Sequence, residues 1–442
     1  MPDDSPLSRR SVVKSLGAAA GLGLAGAGTV ASLPGDGDTA TNSTNSTDSD
    51  TSTDVELDGT TGWPQYAGNP AKTGVAGDGP ASNTVLWEYT EGGEEREYHK
   101  PAVVEDTLYV PYSDGEWRYE EESADGIVAL TTEGEVKWTY EAPSYTELLT
   151  DPAYADGYVF VGGRTSETEG YESDECSIES PEQLALLVGV DAETGEVAQK
   201  WTEAGRRFKT PTVADGTVYS IVPTGIQEDG ILYAYDIESG EERWTYNADG
   251  AGISGYRAPP VAVADGTVYV AEHELAALDA ETGERLWENT EVANLKSGRG
   301  NAPAVVDGTV YVGGGYGGTL YAISTEDGSI EWTFDLAASM PSSAAVAEGT
   351  VYVETAALED HPTGTYALNA DDGTEQWFSE YRNGTADAAP AIVGDQYVYV
   401  GTRALSKEDG SIAWEQENSG PSAVAGNRLY YGGPSVGAVG EE

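Results

Sequence analysis

The chain has 442 residues, 77 acidic and 22 basic side chains, and a formal net charge of −55. That charge excludes nucleic acid as a partner, because phosphate repulsion would dominate the encounter. The lone cysteine, Cys176, excludes an intrachain disulfide, and no histidine stands near it in sequence.

Residues 8–14 read Ser-Arg-Arg-Ser-Val-Val-Lys, and a small, apolar run from Ser15 to Ser32 follows. Twin arginines, Arg9 and Arg10, ahead of a weakly hydrophobic stretch resemble a Tat signal peptide. The run is rich in Gly and Ala and shorter than the roughly 20 strongly apolar residues that a membrane span needs. Residues 1–31 are therefore expected to be a signal peptide cut after Ala27 or Ala31. Membrane contact is expected only through an uncleaved copy of it, and no Cys follows the run to carry a lipid anchor.

Residues 32–62 form a linker of Ser, Thr, Asp and Asn with almost nothing apolar to bury. Two glycosylation sequons lie in it, at Asn42 and Asn45, and a third is at Asn383.

From residue 63 onward tryptophan recurs at Trp87, Trp138, Trp201, Trp244, Trp287, Trp332, Trp377 and Trp414. Between Trp201 and Trp377 the steps are 43, 43, 45 and 45 residues. A period of about 45 residues with strand-like text marks a β-propeller, one blade per step. The fourth repeat shows why. Pro260-Val-Ala-Val-Ala is a short apolar strand, and Asp265-Gly266 is a hairpin turn whose backbone needs positive φ. Thr267–Val270 returns, Leu275–Leu278 follows, Asp279–Gly283 turns, and Arg285–Trp287 opens a fourth strand. Four antiparallel strands make one blade, and the flat indole is suited to the gap between neighbouring blades.

Ala277, Asp279, Thr282, Gly283 and Trp287 recur at the same offsets from Ala234 to Trp244, Ala322 to Trp332, Ala367 to Trp377 and Ala404 to Trp414. This pattern resembles the tryptophan-docking motif of PQQ-like (pyrrolo-quinoline quinone) propeller repeats, shared by quinoprotein dehydrogenases and BamB-type assembly factors. Trp63-Pro-Gln-Tyr-Ala-Gly-Asn-Pro-Ala-Lys-Thr-Gly74 resembles the opening segment of such proteins. The resemblance implies one all-β propeller domain over residues 63–442.

Complete blades start near Pro101, Pro152, Pro211, Pro260, Pro303, Ser343 and Pro390. After Trp414 the chain holds three more strands' worth of text, and Val85-Leu-Trp87-Glu-Tyr stands spare at the other end. Pairing residues 84–90 with residues 435–440 completes an eighth blade and removes both open edges. The expected fold is an eight-bladed ring of four-stranded antiparallel blades.

Acidic residues are spread through every blade. Two readings stand: an acidic secreted surface, or adaptation to molar salt, where a Debye length of about 3 Å removes carboxylate repulsion. An acidic chain with such a signal resembles haloarchaeal secreted proteins. That implies Tat export to the cell surface or medium, in an archaeal envelope. The salt reading predicts a melting temperature that rises between roughly 0.1 M and roughly 3 M NaCl; an unchanged melt would refute it.

Strand parity places the tight turns on one face. The variable loops and the blade-to-blade links lie on the other, where function is usually carried. In the family resembled, residues just before each innermost strand ring the channel mouth. Those are His99 and Lys100, Lys209, Arg257, and Arg299 with Asn301, with Trp117 on a loop of the same face. One reading is a cationic funnel for an anionic ligand, the other local ion pairing with the acidic loops.

No calcium loop of Asp-x-Asp-x-Asp-Gly type is present, and no metal is expected. His99, His273 and His361 are scattered, with no nucleophile motif beside them. The adjacent cysteines on which quinoprotein alcohol dehydrogenases stack their cofactor are absent, and nothing marks Asp151 or Asp387 as a base. The reading is a non-catalytic propeller with no cofactor, binding a protein or an anionic small molecule. The alternative is an oxidoreductase holding PQQ and calcium at the channel mouth.

Overall fold

Turn chemistry repeated at fixed spacing builds the same sheet eight times. The computed structural model describes residues 62–77, 79–91, 96–114, 125–166, 183–223, 230–247, 258–271, 274–292, 301–313, 318–336, 340, 342–356, 363–381, 390–416 and 422–441. These residues are strand and turn without helix. In blade 4 the strands Ala262–Ala264, Thr267–Ala271, Leu275–Asp279 and Arg285–Asn289 pair in chain order. Asp265 and Gly266 turn at φ 48° and 72°, and Asp156-Gly157, Asp215-Gly216, Asp307-Gly308 and Glu348-Gly349 do the same. Such a turn matches the twist of its strands, so each first hairpin closes in two residues.

The turn between the third and fourth strands is built by its Asp. Asp279 accepts from the amide and the hydroxyl of Thr282, both at 2.8 Å. Gly283 follows at φ 72°, and a Cβ there would stand 2.6 Å from the ring of Trp244 in the preceding blade. Gly195, Gly328, Gly373 and Gly410 meet Trp138, Trp287, Trp332 and Trp377 in the same way. Each tryptophan thus belongs to one blade and docks on the next. In seven of the eight its Nε1 donates to a carbonyl there, as Trp244 does to Ala280 at 3.0 Å, Trp287 to Thr325 at 2.8 Å and Trp332 to Ala370 at 2.8 Å.

Blade 8 is assembled from both ends. Thr84–Tyr89 pairs antiparallel with Val436–Gly440, from Thr84 opposite Gly440 to Tyr89 opposite Val436. Arg428–Tyr431 and Ala423–Ala425 complete the sheet. Trp87 faces Ala438, as Trp287 faces Ala277 and Trp332 faces Ala322. It is the eighth blade's tryptophan, and its Nε1 reaches Thr132 of blade 1 at 2.9 Å.

The seam leaves one mark. Blade 8 is joined from two chain ends and has no turn between its third and fourth strands. Trp414 of blade 7 therefore has no such turn to reach, and its buried Nε1 has no hydrogen-bond partner among the described residues. Trp287→Phe is expected to cost about 1 kcal/mol more than Trp414→Phe, because only the first substitution breaks a hydrogen bond. Denaturant unfolding in high salt checks this, and equal losses would contradict the seam's geometry.

The apolar core lies between blades. Tyr219 and Leu232 of blade 3 pack with Val263, Val268 and Leu278 of blade 4, and one cluster joins blades 7, 8 and 1.

Candidate functional site

Short first strands converge on the axis and turn an unpaired edge inward. An N–H group out of water costs free energy unless it finds an acceptor. Residues 62–76 supply the acceptors. Gly62–Trp63 pairs antiparallel with the inner strand of blade 1, Gly62 opposite Val104. In blade 2 the amide of Tyr154 donates to Pro64 O at 2.8 Å. In blades 4, 5, 6 and 7 the amides of Val263, Val305, Val346 and Val393 donate to the carbonyls of Pro70, Ala71, Thr73 and Gly74 at 2.8–2.9 Å. In blade 3 the Gln65 side chain stands in for a peptide unit. Its Oε1 accepts from Val213 N and its Nε2 donates to Val213 O, both at 3.1 Å.

The chain therefore rises from the tight-turn end at Gly62, circles the axis, and descends at Val75 alongside Val393. Left-handed residues make the bends, Ala67 at φ 56° and Lys72 at φ 62° among them. Gly74 cannot carry a side chain, since a Cβ would lie 2.7 Å from Ala391 O.

Lys72 is fully buried in this segment. Its Nζ donates to Gln65 Oε1 at 3.1 Å and lies 6.0 Å from the centre of the Tyr66 ring. Burial brings its ammonium down to about 7. Burial likewise pushes the Tyr66 phenol up to about 12, its hydroxyl sharing a hydrogen bond of 3.2 Å with Ser343 and Asp151 adding to the rise.

Above the segment a cleft opens toward the variable-loop face. Its floor is Trp63, Gln65, Tyr66 and Ala67, and its wall Lys100, Asp151 and Ser422 with three prolines, Pro101, Pro152 and Pro390. Its enclosed volume is about 10 Å³, that of one water.

The predicted mouth residues take different places. Lys100 lines the cleft, and its backbone amide donates to Asp151 Oδ1 at 3.4 Å. His99 is packed between the links of blades 1 and 2. Burial lowers its pKa, Asp151 and Glu97 oppose that, and Lys100 adds to it; its Nε2 has no hydrogen-bond partner among the described residues. Lys209 is buried, with its carbonyl accepting from Ser220 at 2.7 Å. Asn301 spends its side-chain amide on Met340 O and Ser342 O, at 3.0 and 2.7 Å, pinning the link into blade 6. The described residues thus bring Lys100 to the cleft, with Asp151 beside it as a countercharge. Arg257, Arg299 and Trp117 lie outside the described residues, as do Arg9, Arg10, Asn42, Asn45, Asn383, His273, His361, Asp387 and Cys176.

A second polar group, unmarked in sequence, is buried between blades 6 and 7. Tyr381 donates to Glu354 Oε1 at 2.9 Å, shares 3.1 Å with Thr365, and stacks under the guanidinium of Arg403 at 4.2 Å. Arg403 in turn pairs with Glu415 at 2.6 Å. This arrangement fixes the blade interface. A charged residue in the third strand of blade 7, where its neighbours are apolar, is the signal that sequence reading passed over.

Eight tryptophan-docked sheets closed on themselves define an eight-bladed β-propeller of repeat type. The family model for outer membrane protein assembly factor BamB (PQQ_2) matches residues 125–290 and 271–430, and the chain belongs to that family. It is 27% identical over 250 residues to outer membrane protein assembly factor BamB of Yersinia pestis, covering 53% of this chain and 60% of that protein. It is 34% identical over 139 residues to a 1-butanol dehydrogenase (cytochrome c) of Thauera butanivorans, covering 29% of this chain and 19% of that protein. The chain thus spans less than two thirds of either relative. In fold it is similar to BamB from Moraxella catarrhalis, with a TM-score of 0.58, 17% identity, and coverage of 82% of this chain and 98% of that one. It is similar too to quinohemoprotein alcohol dehydrogenase from Comamonas testosteroni, with a TM-score of 0.61, 15% identity, and coverage of 86% and 81%.

The dehydrogenase likeness makes PQQ with calcium the cofactor to test against the mouth. Small-molecule pockets enclose about 300–1,000 Å³, and the cleft over Trp63 and Tyr66 encloses about 10 Å³. Among the described residues no three His, Cys, Asp or Glu side chains group to hold a metal ion. The cleft over Trp63 and Tyr66 is too small to hold that cofactor.

Proposed function

We propose that this chain is a non-catalytic, exported scaffold that docks another protein on its variable-loop face. The observation that carries this reading is the closed axis. Residues 62–76 satisfy the inner edges of blades 1 to 7 and leave, among the described residues, a cleft of one water's volume. What remains for recognition is the outer surface, and its two faces are unequal. One carries short turns, the two-residue hairpins and the Asp-built turns before each fourth strand. On the other, the hairpin of Tyr158–Ser166 and Gln183–Asp191 in blade 2 reaches nine paired residues, against five in blade 4. The names of the BamB relatives support protein binding, while their outer-membrane role stays with them.

The second reading, a PQQ-dependent oxidoreductase, is supported by the likeness to the 1-butanol dehydrogenase. One purification in high salt separates the two. Titration with PQQ, with and without calcium, is followed by tryptophan fluorescence and dye reduction with an alcohol. The scaffold reading expects no response. It also expects a partner captured by the intact chain to be lost when residues 115–124 and 167–182 are shortened, and kept when the turn at Asp265-Gly266 is changed. Saturable PQQ binding with dye reduction would overturn it.

A further inference from the structure

The axial segment is held as a ligand is held. Its contacts with the ring include hydrogen bonds from one repeated position of the inner strands, blade after blade. Tyr154, Val213, Val263, Val305, Val346 and Val393 each donate a backbone amide to it. Because five of the six acceptors are backbone carbonyls, this is recognition of a main chain, bent by its own turns, rather than of particular side chains. The Gln65 amide at blade 3 is the exception and supplies a side-chain requirement.

The ring's apolar packing runs between blades and owes little to the segment. Within the buried clusters the segment contributes Trp63 and Ala71, with Ala76 packed alongside. Both ends of the segment lie at the tight-turn end of the channel. Gly62 stands opposite Val104, just before the first turn of blade 1, and Val75 runs parallel to Val393, just before that of blade 7. The segment therefore enters as a loop pushed in from one face and need not thread through the ring.

We infer that the channel of this propeller is a binding site for a looped peptide, filled in cis by residues 62–76, and that ring and peptide are separable. The inference does not depend on the scaffold reading, since it concerns the axis and not the outer face.

The test uses the full chain with a specific protease site placed at Asp78, cut after folding in high salt. The expected result is one species in size exclusion that holds both pieces. A fluorescein-labelled synthetic peptide of residues 59–77 then exchanges in, saturably. Changing Gln65 to Ala in that peptide removes its two hydrogen bonds to Val213, and the one from Lys72 within the peptide, and is expected to weaken binding about tenfold. If the cut ring aggregates as the segment leaves, the segment is part of the ring's core and the inference fails. It fails equally if the ring stays folded and the labelled peptide never enters, or if the Gln65→Ala peptide binds as well as the natural one.

Discussion

Lys72→Met is expected to stabilise the protein by several kcal/mol near neutral pH. The side chain is fully buried, and among the described residues its ammonium has one hydrogen bond, to Gln65. In the unfolded chain the group titrates near its ordinary value of 10.5, and in the folded protein near 7. Between those values the unfolded state binds a proton that the folded state does not, so stability rises with pH across that window. Below about 7 both states are protonated and the full cost of the buried charge is present. The fall from 10.5 to about 7, at about 1.4 kcal/mol per pH unit, corresponds to roughly 5 kcal/mol, less about 1 kcal/mol for the lost bond to Gln65. Methionine keeps the volume and removes the charge. Thermal unfolding of both proteins at pH 6.5 and 9 checks this. The advantage of the variant should be large at the lower pH and shrink by about 1.4 kcal/mol per unit on the way up. Equal stabilities at pH 6.5 would mean that the ammonium is solvated in place.

Removal of residues 421–442 is expected to destroy the ring. It takes away three strands of blade 8 and leaves Thr84–Tyr89 without a partner. Val424, Leu429, Tyr430, Tyr431, Val436 and Val439 leave the core, and Val103 and Leu108 of blade 1 and Tyr399 of blade 7 lose their cover. At about 1.5–3 kcal/mol for each buried apolar side chain, the loss exceeds about 9 kcal/mol, comparable to the whole stability of a domain. The exposed edges then invite association. Size exclusion and a thermal melt in high salt measure the outcome; a monomer with an unchanged melt would show that the closure is dispensable.

The repeat was legible because its chemistry is local. An Asp-Gly pair sets its own φ angles, and an Asp three residues before a Thr folds its own turn, whatever the rest of the chain does. Closure was legible by counting, since Trp87 had no strands before it and the text after Trp414 had none behind. The mouth was only half legible. The alignment of links placed His99, Lys100, Lys209 and Asn301 at corresponding positions, and the structure keeps them in those links. Corresponding positions do not imply corresponding environments. Asn301 is bound to the next link, Lys209 is buried, and Lys100 lines the cleft, because the links differ in length and the axis is not empty.

By itself the sequence determined the blade, its turns, the docking tryptophans and the count of eight. All of these rest on residues within one repeat or on its arithmetic. Only the tertiary structure decided what fills the axis. Residues 62–76 carry no strand periodicity, and their acceptors find donors on blades 2 to 7, spread over some 240 residues of chain from Tyr154 to Val393. Those donors become neighbours only when the ring has closed, so the burial of Lys72 and the sealing of the channel are properties of the assembled ring.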